Sequence, residues 1–312
     1  MTNLIQQAQK ALAAWDLQTA DITLAAQREN TVFRVEHTRG TFALRQHRQG
    51  YHTAAALKSE LDWITALAAA DRPVPQPIAT LKGALLHTQN NQNFSLITWL
   101  PGTPMGITGT PLTLENRRDV FHALGAEMAR LHSTSDQWIP PKDFTRTPWD
   151  ADGLVGDTPH WNRFWDNPAL TKPQASLFAD FRDTAQNLLT EIQLDYGLIH
   201  ADLLRENVLI DGDIIRFIDF DDSGPGYRLF DLATTLLRNG EEPDIAQLSE
   251  AMIAGYHSQR PLDLTHLPLF MALRACTYVG WVMTRPDLEN HAARTQTNIA
   301  RAITHVQLFF EN

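Results

Sequence analysis

The chain has 312 residues, 43% of them hydrophobic and 20% charged, and a net charge of −10. This length supports a large core and most naturally two lobes, and the composition is ordinary for a soluble globular protein. The acidic balance argues against a nucleic-acid-binding surface. The acidic net charge is only weak evidence for a cationic substrate, because net charge also keeps a protein soluble.

The cysteine content and the hydropathy of the sequence indicate the cellular location of the protein. The single cysteine, Cys276, excludes an internal disulfide, suits a reducing cytoplasm and lies in an apolar helical stretch that predicts a core residue. Arg274 and Arg285 bound that stretch, so no run is expected to be long enough to span a bilayer. Residues 1–15 indicate a short amphipathic helix rather than a signal peptide, and the 12 histidines show no zinc-ligand spacing. We therefore expect a cytoplasmic protein without a membrane or nucleic-acid partner.

The first part of the chain predicts strands and one helix. Two strand-like runs, 31–36 and 41–47, flank a turn and indicate a β-hairpin, in whose second strand Arg45 shares a face with Ala43 and His47. A helix is predicted over about 53–70. Glu60 lies at the edge of the buried stripe of this helix, where a carboxylate needs a partner.

A boundary follows near residue 100. The prolines of 73–77 end the helix, and the runs 84–87 and 94–100 predict two more strands before Pro101-Gly102 breaks the chain. We expect residues 1–100 to form one domain, with a five-stranded sheet plus a helix, and residues 101–312 to form a second, mainly helical one. In residues 138–174, Trp149, Trp161 and Trp165 could line a pocket, although packing is the commoner role of such aromatics.

The stretch 198–222 concentrates polar groups that suit a magnesium site. The β-branched runs 208–210 and 214–218 around Asp211-Gly212 predict a hairpin with Asn207 just before its first strand and Asp219 just after its second. Neighbouring strand ends meet, so both side chains are expected to face one space, where oxygen ligands suit Mg²⁺. Asp202, on the preceding loop, is then free to orient a hydroxyl and accept its proton.

These residues carry a resemblance to a known family. The pattern H-x-D-x-x-x-x-N in IHADLLRENVLI, followed by FIDFDD, resembles the aminoglycoside phosphotransferase and choline kinase superfamily more than the protein kinases, which usually read H-R-D and D-F-G. The resemblance implies an α+β, bilobed protein-kinase-like fold with a small β-rich N-lobe, a larger helical C-lobe and an active cleft between them. It implies ATP, with GTP not excluded, and Mg²⁺ as cofactors.

The resemblance also implies a nucleotide site. Arg45, paired with Glu60, would hold phosphates where the family usually carries lysine, and arginine keeps the charge with a different geometry. The loop that would cover the phosphates, which includes Asn30, lacks the glycine pattern of protein kinases. Backbone groups of Thr98, Trp99 and Leu100 would meet the nucleotide base at the hinge.

Other positions receive roles by the same resemblance. Asp231, at the start of a helix, would tie that helix to the catalytic loop, with His200 as a further structural support. Asp221 and Asp222 are candidates for the metal site or for recognition of a cationic substrate, or else belong to a solvated turn. The C-terminal helix over 267–283 resembles one in the bacterial stress response kinase branch. On it Arg274, Tyr278 and Trp281 share a face and are possible substrate-binding residues, or the edge of a core helix.

The functional hypothesis is an ATP-dependent phosphotransferase, a kinase that phosphorylates a hydroxyl of an amino alcohol, amino acid, sugar or aminoglycoside. Two alternatives stay open. One is a serine/threonine protein kinase of the stress response type, and the other is a nucleotide-binding regulator that has lost catalysis.

Overall fold

The computed structural model describes residues 2–27 and 30–311 and confirms the predicted α+β class. Arg28 and Glu29 of the predicted phosphate loop lie outside the described residues. The α-helices of the described part are α1 Thr2–Ala11, α2 Ala54–Ala69, α3 Arg117–Gln137, α4 Ala151–Val155, α5 Lys172–Glu191, α6 Arg228–Asn239, α7 Ile245–His257, α8 Leu267–Trp281 and α9 His291–Glu311. The strands are β1 Asp21–Gln27, β2 Thr31–His37, β3 Gly40–Gln46, β4 Pro77–Ile78, β5 Leu86–Gln89, β6 Gln92–Thr98, β7 Thr103–Pro104, β8 Tyr196–Ile199, β9 Val208–Asp211, β10 Ile214–Phe217 and β11 Gly224–Tyr227.

The chain forms two compact units, each assembled from separate stretches of sequence. Unit 1 comprises Met1–Pro104, Thr134–Arg146 and Val208–Asp221, and unit 2 comprises Met105–Ser133, Thr147–Asn207 and Asp222–Asn312. The division predicted from the sequence falls only once, near residue 100. The two divisions differ because β9 pairs with β7, a contact between distant residues that no local pattern indicates.

An antiparallel sheet forms the centre of unit 1. Its strands lie in the order β1-β2-β3-β6-β4, with β5 also paired to β6. The described sheet therefore has six strands rather than the predicted five. The predicted runs correspond to β2, β3, β5 and β6, so β1 and β4 have no predicted counterpart. The side chains of β1 are mostly exposed, and β4 has only 2 residues, too few to show a periodicity.

The two faces of this sheet have different coverings. Phe33, Leu44 and Leu96 point to one face and are fully buried in a cluster with Trp15 and with Ala8 and Ala11 of α1. On the other face, Ala43 and Ile97 pack against Leu61 of α2. Because side chains alternate along a strand, Arg45 lies on the same face as Ala43, toward α2, as the sequence predicts.

The helix α2 and the hairpin β9–β10 also follow their predicted positions. Thr53 caps α2 by accepting a hydrogen bond from the Ala56 N–H at 3.1 Å. Asp211 and Ile214 are partners at the end of the hairpin, and Gly212 in its turn has a φ of +60°, a conformation that costs glycine little.

Unit 2 is mainly helical and is built around α8. Almost every side chain of this helix from Leu269 to Gly280 is buried, including Cys276, and burial raises the pKa of the Cys276 thiol. The segment Leu267–Thr284 reaches the length and hydropathy of a membrane span, contrary to the expectation that no run does, but 67% of it is buried within the protein. Arg274, 0% exposed, lies inside it. A core helix of a folded domain has these properties.

Candidate active site

In unit 1, an arginine on β3 is held by two carboxylates. Arg45 Nη1 donates to Glu60 Oε1 at 2.5 Å, and Arg45 Nη2 lies 3.4 Å from Asp221 Oδ1. All three side chains are buried. Burial alone would raise the pKa of Glu60, but Arg45, Arg146 and His47 outweigh it and lower that pKa to about 2. Glu60 is therefore ionised, and with Asp221 and Asp219 it outweighs the effect of burial and raises the pKa of Arg45.

Arg146, a residue without a predicted role, joins this cluster. Its guanidinium donates to the Ala56 carbonyl of α2 at 3.2 Å and to the Asp221 carbonyl. It thus links the helix that carries Glu60 to the segment that follows Asp219. Arg146 comes from the stretch Thr134–Arg146, and its role depends on tertiary packing that no motif marks.

Burial favours the neutral form of two histidines in the cluster. Burial lowers the pKa of His47 to about 3, with the Arg45 charge adding to the effect, and His47 Nε2 lies 2.9 Å from Ser95 Oγ. Burial also lowers the pKa of His52, although the neighbouring Asp221 opposes this shift. The pKa of Asp221 is raised by burial and by Glu60, against the effect of Arg45. Asp221 is thus a partner of Arg45 and His52, rather than a solvated turn residue.

The residues predicted to contact the nucleotide base differ in whether their backbone groups are already hydrogen-bonded within the protein. The Thr98 N–H donates to the Gln76 carbonyl at 2.9 Å and the Trp99 N–H to the Thr41 carbonyl at 3.1 Å. Leu100 has no backbone hydrogen bond within the described part of the chain. Asn30 Oδ1 accepts a hydrogen bond from the Arg48 N–H at 3.1 Å, which ties the start of β2 to the segment after β3.

Asp219 follows β10 in unit 1 and is exposed. Its φ of +65° is rare for a residue with a Cβ, and such conformations concentrate at functional sites. Asp219 offers a carboxylate, the kind of hard oxygen donor that suits a divalent cation.

In unit 2, Asp231 organises the loop that follows β8. Its Oδ2 accepts hydrogen bonds from the His200 N–H at 2.9 Å and from His132 Nε2 at 3.0 Å, and its Oδ1 accepts one from the Ala201 N–H at 2.7 Å. Burial alone would raise the pKa of Asp231, but the His132 and His200 interactions lower it. Burial lowers the pKa of His132 to about 4, so the pair is an aspartate with a neutral imidazole. The carboxylate thereby supports Ala201, whose φ is +65°.

We expect Asp231→Ala to lower the free energy of unfolding by about 3 kcal/mol, because it leaves buried N–H donors without their acceptor. Urea unfolding measures this loss. The exposed Asp180 on α5 provides the control, and Asp180→Ala should change stability by less than about 0.5 kcal/mol. An equal effect of the two substitutions would contradict the support role of Asp231.

Asp202 lies on this supported loop and is held from two sides. Its Oδ1 accepts a hydrogen bond from Arg274 Nη2 at 2.9 Å, and its Oδ2 accepts one from Asn207 Nδ2 at 3.2 Å. Asn207 Nδ2 also donates to the Asp202 carbonyl at 2.9 Å, so the amide oxygen of Asn207 remains as a possible ligand. His200 Nδ1 lies 3.3 Å from the Asp202 N–H. The Asp202 side chain is 19% exposed and can meet a ligand.

The possible substrate residues on α8 do not form one group. Arg274 and Tyr278 are buried together, with the guanidinium carbon of Arg274 4.5 Å from the Tyr278 ring centre. Trp281 instead stacks with Arg285, whose guanidinium carbon lies 4.3 Å from the Trp281 ring centre.

Asp222, the other predicted substrate residue beside Asp221, contacts a tryptophan through its backbone. Its carbonyl accepts a hydrogen bond from Trp149 Nε1 at 2.8 Å.

The tryptophans of 138–174 pack as aromatic residues usually do. Trp149 and Trp161 are 3% and 8% exposed and lie edge to face with ring centres 5.3 Å apart. Trp165 lies edge to face on Phe164. These contacts agree with the packing interpretation.

Asn207 in unit 2 offers an amide oxygen, and Asp219 in unit 1 offers a carboxylate. Each is by itself the kind of oxygen donor that a hard divalent cation prefers. Magnesium binds through one or two such protein oxygens together with phosphate oxygens. Within the described residues no group of three or more His, Cys, Asp or Glu side chains could hold a metal ion by itself.

Comparison with known proteins gives one consistent result. The profile of the phosphotransferase enzyme family matches residues 21–267. A homoserine kinase from Methylobacillus glycogenes is 27% identical over 294 residues, which span 91% of this chain and 85% of that protein. A homoserine kinase from Rhodospirillum rubrum is 29% identical over 238 residues, or 70% and 68% of the two chains.

Solved structures agree in fold. The microcompartment-associated aminopropanol kinase has a TM-score of 0.85 and 28% identity, and the match covers 98% of each chain. Amicoumacin kinase, at 19% identity, has a TM-score of 0.77 over 97% of this chain and 96% of its own. The predicted protein-kinase-like fold is therefore confirmed.

Proposed function

Because the chain belongs to the phosphotransferase enzyme family, we propose that it transfers the γ-phosphoryl of Mg-ATP to a hydroxyl of a small molecule bearing an amino group. The observation that supports this proposal is the environment of the Asp202 carboxylate. This carboxylate is partly exposed and is fixed by two hydrogen-bond donors, on a loop that Asp231 supports.

Asp202 would orient the acceptor by accepting its O–H hydrogen bond. As the acceptor oxygen bonds to phosphorus and the bond from phosphorus to the ADP oxygen breaks, the hydroxyl proton passes to Asp202. Phosphoryl transfer relies mainly on positioning and on stabilisation of charge. A carboxylate held at both oxygens is well suited to that task.

Arg45 would contact the nucleotide phosphates. Its 3.4 Å contact with Asp221 is long for a charge-assisted hydrogen bond, so Nη2 is the donor that a phosphate oxygen could engage. Glu60 keeps Nη1 in place. Asn207 and Asp219 are the proposed Mg²⁺ ligands, and the bound ion would neutralise charge on the phosphates. At the hinge, Leu100 has backbone groups without a hydrogen bond within the described residues, and they would meet the base of ATP or GTP.

The acceptor class is inferred from the relatives. Homoserine and aminopropanol, named for the relatives at 27–29% identity, share a hydroxyl and an amino group on a short chain. We therefore favour a hydroxy amino acid or an amino alcohol over a sugar or an aminoglycoside.

The test is ADP release with Mg-ATP, repeated with Mg-GTP, against a panel of acceptors. The panel holds homoserine, aminopropanol, ethanolamine, choline, a sugar, an aminoglycoside and a generic protein substrate, with Asp202→Ala as the blank. We expect turnover on a short amino-bearing alcohol and none in the blank. Turnover on the protein substrate alone would move the assignment to a protein kinase. Binding of Mg-ATP without any turnover would favour the inactive regulator.

A further inference from the structure

Arg274 is a buried cation whose carboxylate partner is Asp202. Its side chain is 0% exposed, and its Nη2 donates to Asp202 Oδ1 at 2.9 Å. No other carboxylate within the described residues forms an ion pair with it. Removing a single partner from a buried charge is costly, so Arg274 depends strongly on Asp202.

Three aromatic rings confine the Arg274 guanidinium. Its central carbon lies 4.8 Å from the ring centre of Trp161, 5.2 Å from that of Phe230 and 4.5 Å from that of Tyr278. A flat, weakly hydrated guanidinium can stack its plane on such rings, which a compact and strongly hydrated ammonium cannot do. Arg274 Nε and Nη1 are buried without a hydrogen-bond partner within the described residues, and they belong to the guanidinium that these rings surround.

The ring cluster is itself fixed. Gly280 allows the backbone of Trp161 to approach α8, because an added Cβ would lie 2.1 Å from the Trp161 carbonyl oxygen. Tyr278 is also held, because Arg238 Nε donates to Tyr278 Oη at 2.9 Å. The guanidinium of Arg274 therefore has little freedom to move.

We propose that Arg274 is a positioning residue for phosphoryl transfer that acts only through Asp202. The inference rests on the proposed role of Asp202 and replaces the expectation that Arg274 binds the substrate. A side chain with no exposed surface and with Nε and Nη1 enclosed has no group left for an acceptor. Its one outward hydrogen bond fixes Oδ1 of Asp202 and so sets the direction in which Oδ2 faces the acceptor.

The kinetic test compares Arg274→Met and Arg274→Lys with the wild type on the acceptor identified by the panel. We expect Arg274→Met to lower kcat about 100-fold, the size of effect that a misplacement of about 1 Å produces, and to leave the KM for the acceptor within about threefold. Arg274→Lys keeps the charge but loses the stacked plane, so its kcat should be intermediate. Arg285→Met, just beyond the end of α8, is the matched control and should retain wild-type kcat. A raised KM with unchanged kcat would show that Arg274 contacts the acceptor and would overturn the proposal.

Chemical rescue separates positioning from a merely structural role. Guanidinium ion, added far below the concentrations that unfold the protein, should restore part of the kcat of Arg274→Ala and leave that of Arg285→Ala unchanged. Urea at the same concentration should restore nothing. Failure of guanidinium to restore a folded Arg274→Ala would count against the proposal.

A double-mutant cycle tests the coupling between Arg274 and Asp202 by protein stability alone, so it does not require a measurable activity. We expect Asp202→Ala to lower the urea midpoint in the wild-type background, where it leaves Arg274 uncompensated, and to change it little in Arg274→Met. Equal shifts in both backgrounds would overturn the inference. If the wild type fails to turn over any acceptor, the proposed function fails, and this cycle still shows whether Arg274 acts on Asp202.

Discussion

Asp202→Asn is expected to lower kcat about 10³-fold, within the range that general acid–base groups contribute. The asparagine has the same shape, but it has no negative charge and cannot take the acceptor proton. It also carries an amide nitrogen near the donors Arg274 Nη2 and Asn207 Nδ2. Steady-state kinetics with Mg-ATP and the acceptor found on the panel measure this loss.

The same substitution should also cost stability, because it leaves the buried Arg274 without its counter-charge. Asp202 is 19% exposed, so we expect about 2 kcal/mol, less than the loss of a fully buried partner. Kinetics are therefore measured well below the unfolding midpoint of the variant. The control is Asp183→Asn, whose side chain is 70% exposed in a surface pair with Arg182, and which should keep wild-type kcat. A kcat for Asp202→Asn within tenfold of wild type would exclude Asp202 as the base.

Local pattern predicted the parts of the site that depend on short-range geometry. Alternation along β3 placed Arg45 on the face of Ala43, and helical spacing placed Glu60 at the buried edge of α2. These two side chains are 15 positions apart and form a direct ion pair. The turn at Gly212 and the hairpin around it also follow from residues close in sequence.

Tertiary packing decided the parts that sequence reasoning missed. Arg146 reaches Ala56, 90 positions away, and Trp161 and Phe230 meet at Arg274 from separate segments. An arginine within a helical apolar run indicates a charged edge by periodicity alone. Arg274 is fully buried instead, because aromatic rings and Asp202 from other segments surround it. The spacing of residues along the sequence cannot predict such contacts between distant segments.

Glu60→Gln is expected to lower the free energy of unfolding at neutral pH by about 3 kcal/mol, the size of effect found when a buried ion pair loses one charge. Glu60 Oε2 has no hydrogen-bond partner in the described residues, so the glutamine nitrogen can take that place while its oxygen still accepts from Arg45. The substitution therefore tests the charge rather than the shape. Because Arg45 is left with the longer Asp221 contact, we also expect the KM for ATP to rise about tenfold, a loss of about 1.4 kcal/mol in binding.

The pH dependence of this difference gives the decisive measurement. The pKa of Glu60 is about 2 in the folded protein and 4.5 at its ordinary value. A carboxyl with a lowered pKa contributes stability above its unfolded value and loses it as the pH falls toward its folded value. The stability gap between wild type and Glu60→Gln should thus be full above about pH 4.5 and shrink between about pH 4.5 and pH 2. Urea unfolding across this range measures it. Glu36→Gln on β2, which removes a surface partner of Arg34, should differ from wild type by less than about 0.5 kcal/mol throughout. A gap for Glu60→Gln that stays constant with pH would show that the Glu60 charge does not stabilise Arg45.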